Sequence, residues 1–107
     1  MAADFDQVEN AAGFDWDEWN ADKIWEKHQV SRSECEQVFF NEPFVVGSDV
    51  EHSTQETRYF VLGKTDKGRQ LFLAFTLRGD LIRVVTARDM SRKERRIYQD
   101  VQKASDS

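Results

Sequence analysis

The segment that most constrains the fold is residues 81–98, where an apolar strand pattern runs directly into a basic helix pattern. Leu81 to Arg88 is rich in β-branched and aliphatic residues, and its length suits one strand. Ser91 and Glu94 follow at the spacing of a capping box, in which each side chain binds the backbone N–H of the other residue. The segment therefore predicts a strand that leads into a helix starting at Ser91.

Arginine residues surround this strand–helix junction. A guanidinium group is planar and always charged, so it can bind two oxygens of a phosphate. Arg83 and Arg88 are five residues apart, and a regular strand points them to opposite faces unless it ends or bulges between them. Arg88 is the better phosphate ligand because it lies beside the predicted helix N-terminus. An ion pair between Arg83 and an acid of a neighbouring strand is an equal alternative.

Length and composition predict one folded domain. With 107 residues, 39% of them hydrophobic, the chain can bury one modest core. The single cysteine, Cys35, excludes an internal disulfide and favours a reducing compartment. No apolar run approaches the ~18 residues of a membrane span, and the first 13 residues do not form a secretion signal. We expect a cytoplasmic protein with flexible tails at residues 1–13 and 104–107 and one domain at residues 14–103.

Charge is distributed unevenly along the chain. Residues 1–42 hold 11 acidic and 3 basic residues, a balance of −8, whereas residues 43–107 hold 9 acidic and 12 basic residues, a balance of +3. Opposite faces of the folded domain can therefore carry opposite charge. The net charge of −5 neither excludes an RNA partner nor argues for one.

Two short helices are predicted before Pro43. Asp17 is the expected N-cap of a helix that continues to about residue 28, and Ser31 with Glu34 forms a second capping box for a helix to about Phe40. Cys35 falls on the buried face of the second helix. Three tryptophans are expected to pack the first helix onto the sheet: Trp16, Trp19 and Trp25.

In the remainder of the chain, side-chain character alternates with the period of two that is typical of strands, which predicts a meander. Strand patterns occupy residues 44–47, 57–64, 69–77 and 81–88, and Gly79-Asp80 supplies a two-residue turn. A polar loop that includes His52 separates Ser48 from Glu56. The order predicts an α+β domain with an N-terminal helical hairpin, a four-stranded antiparallel sheet and a C-terminal helix.

Several motifs together resemble the BrnT family of toxins. They are F-D-W-D at 14–17, Lys27-His28 with Val30-Ser31, Val38-Phe39, Glu56-x-Arg58-Tyr59, Arg78-Gly79-Asp80, I-R-V-V-T-A-R at 82–88 and S-R-K-E-R-R-x-Y at 91–98. The resemblance implies a RelE-like fold and a type II toxin–antitoxin module. It further implies RNA cleavage without a metal or other cofactor, inhibition of translation, and neutralisation by a cognate BrnA-like antitoxin. Operator DNA would be bound only through the antitoxin complex.

The resemblance also suggests roles for individual residues. RNA cleavage of this kind needs a base for the 2′-hydroxyl, positive charge at the phosphorane and a proton for the leaving oxygen. We expect Arg78 and Arg88 near the reacting phosphate and either Glu56 or His28 as the base. Further RNA-binding residues would be Lys27, Arg58, Arg83, Arg92 and Arg95.

Plainer interpretations of these residues stay open. His28 can simply be stabilised as a cation at a helix C-terminus. The arginines of the last helix can be a solvated face or a contact surface for an acidic antitoxin segment. The alternative function is a non-catalytic protein-binding module, or a decayed toxin, that acts with its partner as a transcriptional co-repressor.

Overall fold

The computed structural model describes residues 8–49 and 56–106. Within these ranges the domain contains three helices and five strands, so the predicted α+β class is confirmed. In chain order they are β1 (Gly13–Phe14), α1 (Glu18–His28), α2 (Arg32–Phe40), β2 (Val45–Ser48), β3 (Tyr59–Lys64), β4 (Gln70–Arg78), β5 (Leu81–Asp89) and α3 (Arg92–Asp106). His52 and most of the predicted polar loop lie outside the described residues.

The strands form one mixed sheet in the order β1-β5-β4-β3-β2. β2 to β5 are antiparallel neighbours, as predicted, but β1 pairs parallel to β5 through Gly13 with Leu81 and Phe14 with Ile82. The predicted sheet of four antiparallel strands therefore lacks one strand of the observed sheet, and the RelE-like description does not match the fold exactly. A two-residue strand has no readable periodicity, and its partner lies far along the chain.

All three helices begin at the caps that the sequence predicted. Asp17 accepts hydrogen bonds from the backbone N–H groups of Trp19 and Asn20. Ser31 and Ser91 each exchange hydrogen bonds with the glutamate three residues later. Each box binds backbone N–H groups that a helix terminus would otherwise leave without partners.

The two faces of the sheet are covered differently. On one face, which we call the closed face, α1 and α2 bury Ile24, Cys35 and Val38 against alternate residues of β3, β4 and β5. On the other, the open face, α3 packs Tyr98 onto Leu62 and Met90. The Tyr98 hydroxyl donates to the Pro43 carbonyl at 2.8 Å. The strand alternation predicted for β3 and β4 is confirmed, because Leu62, Phe60 and Phe72 lie on the open face.

Two tryptophans do not pack as predicted. Trp19 and Trp25 are 76% and 53% exposed, so the expectation that they join α1 to the sheet is wrong. Only Trp16 is partly covered, and its indole N–H donates to Glu36 on α2 at 2.8 Å. The buried residues of α1 are instead Asn20, Ala21 and Ile24. The outer side of α1 is left with two large aromatic rings in water.

The described residues of the expected tails form contacts and helix within the domain. Val8 is buried in the core, and the Ala12 N–H donates to the Asp80 carbonyl at 2.7 Å. At the other end, α3 continues to Asp106.

Candidate functional site

A β-bulge in β5 places its two arginines on the same face. Consecutive residues of β4 pair with Thr86 and Val84, so Val85 is an extra residue in β5. Because a bulge shifts the alternation by one, Arg83 and Arg88 both belong to the open face despite their odd separation. The sequence predicted that the two arginines could share one face only if the strand ended or bulged between them. The bulge at Val85 meets that condition.

Arg83 is held by two carboxylates at the start of α1. Its Nη1 lies 3.1 Å from Asp17 and 3.4 Å from Asp15, and its side chain is 17% exposed. The hydrogen bond from Arg83 is the main cause of a lowered pKa at Asp17. The acids follow β1 and cap α1, so the ion pair joins the sheet edge to the helix N-terminus.

Arg78 and Glu56, both predicted catalytic residues, contact each other. Arg78 donates through Nη2 and Nε to the two carboxylate oxygens at 2.9 and 3.1 Å. Both side chains are about half exposed, at 50% and 46%. The Glu56 carboxylate raises the pKa of Arg78. The pair combines an accepting carboxylate with a fixed positive charge at one end of the open face.

Arg88 is held by the first turn of α3. Its two terminal nitrogens donate to the Glu94 carboxylate at 2.8 and 3.0 Å, and its guanidinium carbon lies 4.2 Å from the centre of the Phe72 ring. These hydrogen bonds are the main cause of a lowered pKa at Glu94. Glu94 also closes the capping box with Ser91, so Arg88 is tied to the start of the helix.

Arg78 and Arg88 lie at opposite ends of the open face. Arg78 pairs with Leu81, whereas Arg88 pairs with Phe72. The two positions are six residues apart along β4, or about 20 Å at the usual rise of a strand. One phosphate cannot contact both arginines in this arrangement.

A cleft brings several other cations together where α1 passes the bulge. It encloses about 210 Å³ and is lined by Lys23, Ile24, Lys27, His28, Arg58, Val85 and Thr86. No carboxylate lines it among the described residues. The cleft unites three predicted site residues, Lys27, His28 and Arg58. Sequence reasoning missed Lys23, although its place one helical turn before Lys27 was a usable signal.

Arg69 fixes one wall of this cleft, a role that the sequence did not suggest. Its guanidinium donates to the carbonyls of His28 and Gln29 at the end of α1, at 3.3 and 2.9 Å. It also forms ion pairs with Glu34 at 3.1 Å and with Asp89 at 2.8 Å. Arg69 therefore joins α1, α2 and β5 directly behind Lys27 and His28.

Asp89 connects this region to the last helix. The hydrogen bond from Arg69 is the main cause of its lowered pKa, and the nearby charges of Arg95 and His28 act in the same direction. The N-terminal part of α3, with Arg92 and Arg95 exposed, thus lies on the side where α1 ends.

Two kinds of feature were not found among the described residues. No group of three or more His, Cys, Asp or Glu side chains is placed to hold a metal ion. No described helix is long and apolar enough to cross a membrane.

A family comparison identifies the group to which the chain belongs. Residues 16–94 match the family described as the ribonuclease toxin BrnT of type II toxin–antitoxin systems. The chain belongs to the BrnT family. The resemblance drawn from the sequence motifs is thereby confirmed, and membership implies an antitoxin partner. A comparison with curated proteins found no match.

The part that matches BrnT contains most of the candidate site. It begins at Trp16, includes α1, α2 and the sheet from β2 to β5, and ends in the first turn of α3 at Glu94. The basic cleft, the Arg78–Glu56 pair and the Arg88–Glu94 pair all lie within it. The basic cleft beside α1 and the ion pairs of the open face are therefore the places where function is best sought.

Proposed function

We propose that this BrnT is a metal-independent endoribonuclease that cleaves RNA, inhibits translation and is neutralised by a cognate BrnA-like antitoxin. The observation that carries the proposal is the basic cleft, in which Lys23, Lys27, His28 and Arg58 converge. Such a cleft attracts a polyanion and concentrates it at the surface. We also propose that the fold is a variant of the RelE-like arrangement with one added parallel strand.

The cleft offers the groups that phosphodiester cleavage needs. Lys27 and Arg58 would neutralise the charge that develops on the phosphorane oxygens. His28 can accept the 2′-hydroxyl proton in its neutral form and, when protonated, can donate a proton to the leaving 5′-oxygen. The cations of α3, Arg92 and Arg95, would hold neighbouring phosphates of the same strand.

The Arg78–Glu56 pair is the second possible location for the chemistry. Glu56 would be the base and Arg78 the phosphate ligand, with Arg83 nearby on the same face. Arg88, about 20 Å away along β4, would then bind RNA outside the reacting position. The two locations make different predictions for the dependence of the rate on pH.

The decisive experiment uses purified protein and a labelled RNA in the presence of EDTA. We expect cleavage by the wild type, and a loss of roughly 100-fold or more in Lys27→Ala, His28→Ala and Arg58→Ala if the cleft is the site. Lys67→Ala is the matched control, because Lys67 is an exposed cation in the β3–β4 turn. Glu56→Gln and Arg78→Ala should then lose far less activity.

The pH profile separates the two bases independently of the variants. A histidine base gives a rate that rises between about pH 6 and 7, whereas a glutamate base is already ionised there. A rate that is flat above pH 5 and abolished by Glu56→Gln would move the reaction to the Arg78–Glu56 pair. No cleavage of any RNA tested, with intact folding, would contradict the enzyme itself.

One observation favours the alternative function. Arg78, Arg83 and Arg88 are each bound to a carboxylate, which weakens their attraction for phosphate. A BrnT with these cations neutralised could serve as a non-catalytic module that binds the antitoxin and, through it, operator DNA. Induced expression alone in a bacterial host distinguishes the two functions. Growth arrest by the wild type and not by Lys27→Ala supports the toxin, whereas harmless expression at equal protein levels supports the binding module.

A further inference from the structure

The outer side of α1 is both acidic and aromatic. Trp19 and Trp25 are largely exposed, and all three acids of the helix lie beside them. Residues three, four and seven apart share one side of a helix, so these side chains form a continuous strip. We call it the tryptophan–acid face, and its members are Glu18, Trp19, Asp22, Trp25 and Glu26.

Among the described residues, no ion pair includes Glu18, Asp22 or Glu26, although six other ion pairs are formed nearby and across the sheet. Two exposed indoles on one short helix are also unusual for a surface that contacts only water. Tryptophan is, in contrast, enriched among the residues that dominate binding at protein interfaces.

We propose that the tryptophan–acid face is the docking surface for a basic segment of the antitoxin. Arg or Lys side chains of that segment would pair with the three carboxylates and stack on the indole rings. The acids repel phosphates, so RNA is not the occupant. The inference rests on the proposed pairing with an antitoxin, and it does not require that the chain cleave RNA.

The position of the face explains how docking would affect the cleft. The same helix presents Lys23, Lys27 and His28 to the cleft, and Lys23 lies one turn from both Trp19 and Lys27. A partner that covers the outer side of α1 therefore lies at the rim of the basic cleft. Helix α1 would bind RNA with the side that lines the cleft and the antitoxin with the adjacent tryptophan–acid face. The bound antitoxin would then obstruct the access of RNA to the cleft.

The test compares charge reversal on two sides of the protein. The double variant Asp22→Lys/Glu26→Lys changes two exposed acids of the face, and Lys93→Glu/Arg96→Glu makes the matched change on exposed positions of α3. The affinity for the purified antitoxin of the same module is measured by titration calorimetry, after circular dichroism has shown that each variant is folded. We expect the first variant, and Trp19→Ala, to weaken binding roughly tenfold or more and the second to change it less than about threefold.

Three results would overturn the inference. Weakening by the α3 variant alone would place an acidic antitoxin segment on the basic side instead. Unchanged affinity in both variants would place the antitoxin elsewhere. A wild-type dimer that Asp22→Lys/Glu26→Lys abolishes, with antitoxin affinity intact, would assign the face to a second copy of this chain. RNA cleavage by the free proteins is measured separately, so a wild type that cleaves nothing contradicts the enzyme and leaves the docking test valid.

Discussion

At the scale of single residues, the cations of this BrnT differ chiefly in whether a carboxylate holds them. Arg69 is the most constrained, because it binds two carboxylates and two carbonyls while its side chain is 29% exposed. Its bonds to both acids raise the pKa of its guanidinium. Arg78 binds one carboxylate at the surface, where water screens the pair. The same type of ion pair should therefore matter very differently at the two positions.

Replacing Arg69 should destabilise the fold more than replacing Arg78. We expect Arg69→Met to lower the free energy of unfolding by about 2–3 kcal/mol. The Asp89 carboxylate and two carbonyls at the end of α1 lose their donor, and Glu34 loses its charged donor while it keeps its bonds from Ser31. Arg78→Met should cost less than about 1 kcal/mol. Urea denaturation of both variants measures the difference, and equal losses would show that Arg69 does not fasten α1 to the sheet.

At the scale of elements, α3 depends on its first turn. Ser91 and Glu94 form the capping box, and Glu94 also binds Arg88 of β5, so one glutamate links the helix start to the sheet. Further along, Tyr98 fixes the helix over the open face, and burial raises the pKa of its hydroxyl. The helix is thus held at two points about two turns apart.

Removing the cap should destabilise α3 measurably. Ser91→Ala is expected to lower the free energy of unfolding by about 1 kcal/mol, because the N–H of Glu94 loses its acceptor. Ser105→Ala, in the last turn of the same helix, is the control and should change stability by less than about 0.5 kcal/mol. Chemical denaturation tests both, and faster hydrogen exchange of the Glu94 amide should accompany the first alone.

The sequence predicted correctly the elements that are determined by neighbouring residues. It failed for features that depend on contacts between residues far apart along the chain. Capping boxes, strand alternation and the Gly79-Asp80 turn are local, and all were confirmed. The positive φ of Gly79 agrees with that turn. The parallel pairing of β1 was missed because its partner, β5, lies far along the chain. The exposed tryptophans were misplaced because hydrophobicity alone does not distinguish a buried aromatic ring from an exposed one.

Several residues of the candidate site could be predicted from the sequence, but which of them lie close together could not. The sequence named Lys27, His28 and Arg58, but only the crossing of α1 over the bulge at Val85 brings them together. Arg69 carried no motif that would distinguish it from a surface cation. Tertiary contacts determine which arginines form ion pairs with carboxylates. The spacing of residues along the chain does not predict these contacts.

At the scale of the whole molecule, stability depends on carboxylates bound to arginines. The pKa values of Asp17, Asp89 and Glu94 are lowered, chiefly by hydrogen bonds from Arg83, Arg69 and Arg88. At Glu34 partial burial acts to raise the pKa, but bonds from Ser31 and Arg69 outweigh it. These acids bind protons more weakly in the folded state than in the unfolded state.

Stability should consequently fall in acid. A lowered folded pKa contributes stability that is complete above the ordinary values of 3.8 for Asp and 4.5 for Glu and is lost as the pH falls through the folded values. We expect the free energy of unfolding to be nearly constant from pH 7 to about 5 and to decline below that. Urea titrations at several pH values measure it. Arg69→Met should show a shallower decline, and an unchanged slope would contradict the assignment of Glu34 and Asp89.

The cleft unites a helix and a strand that are far apart along the chain, and this has a consequence for the order of folding. Strands β4 and β5 are joined by a two-residue turn and can pair early, whereas α1 and β1 must close long loops to reach β5. A newly made molecule is therefore expected to form its antiparallel strands before Lys27 and Arg58 meet at Thr86. During that interval the chain has a sheet but no basic cleft, so the cleft is complete only at the end of folding.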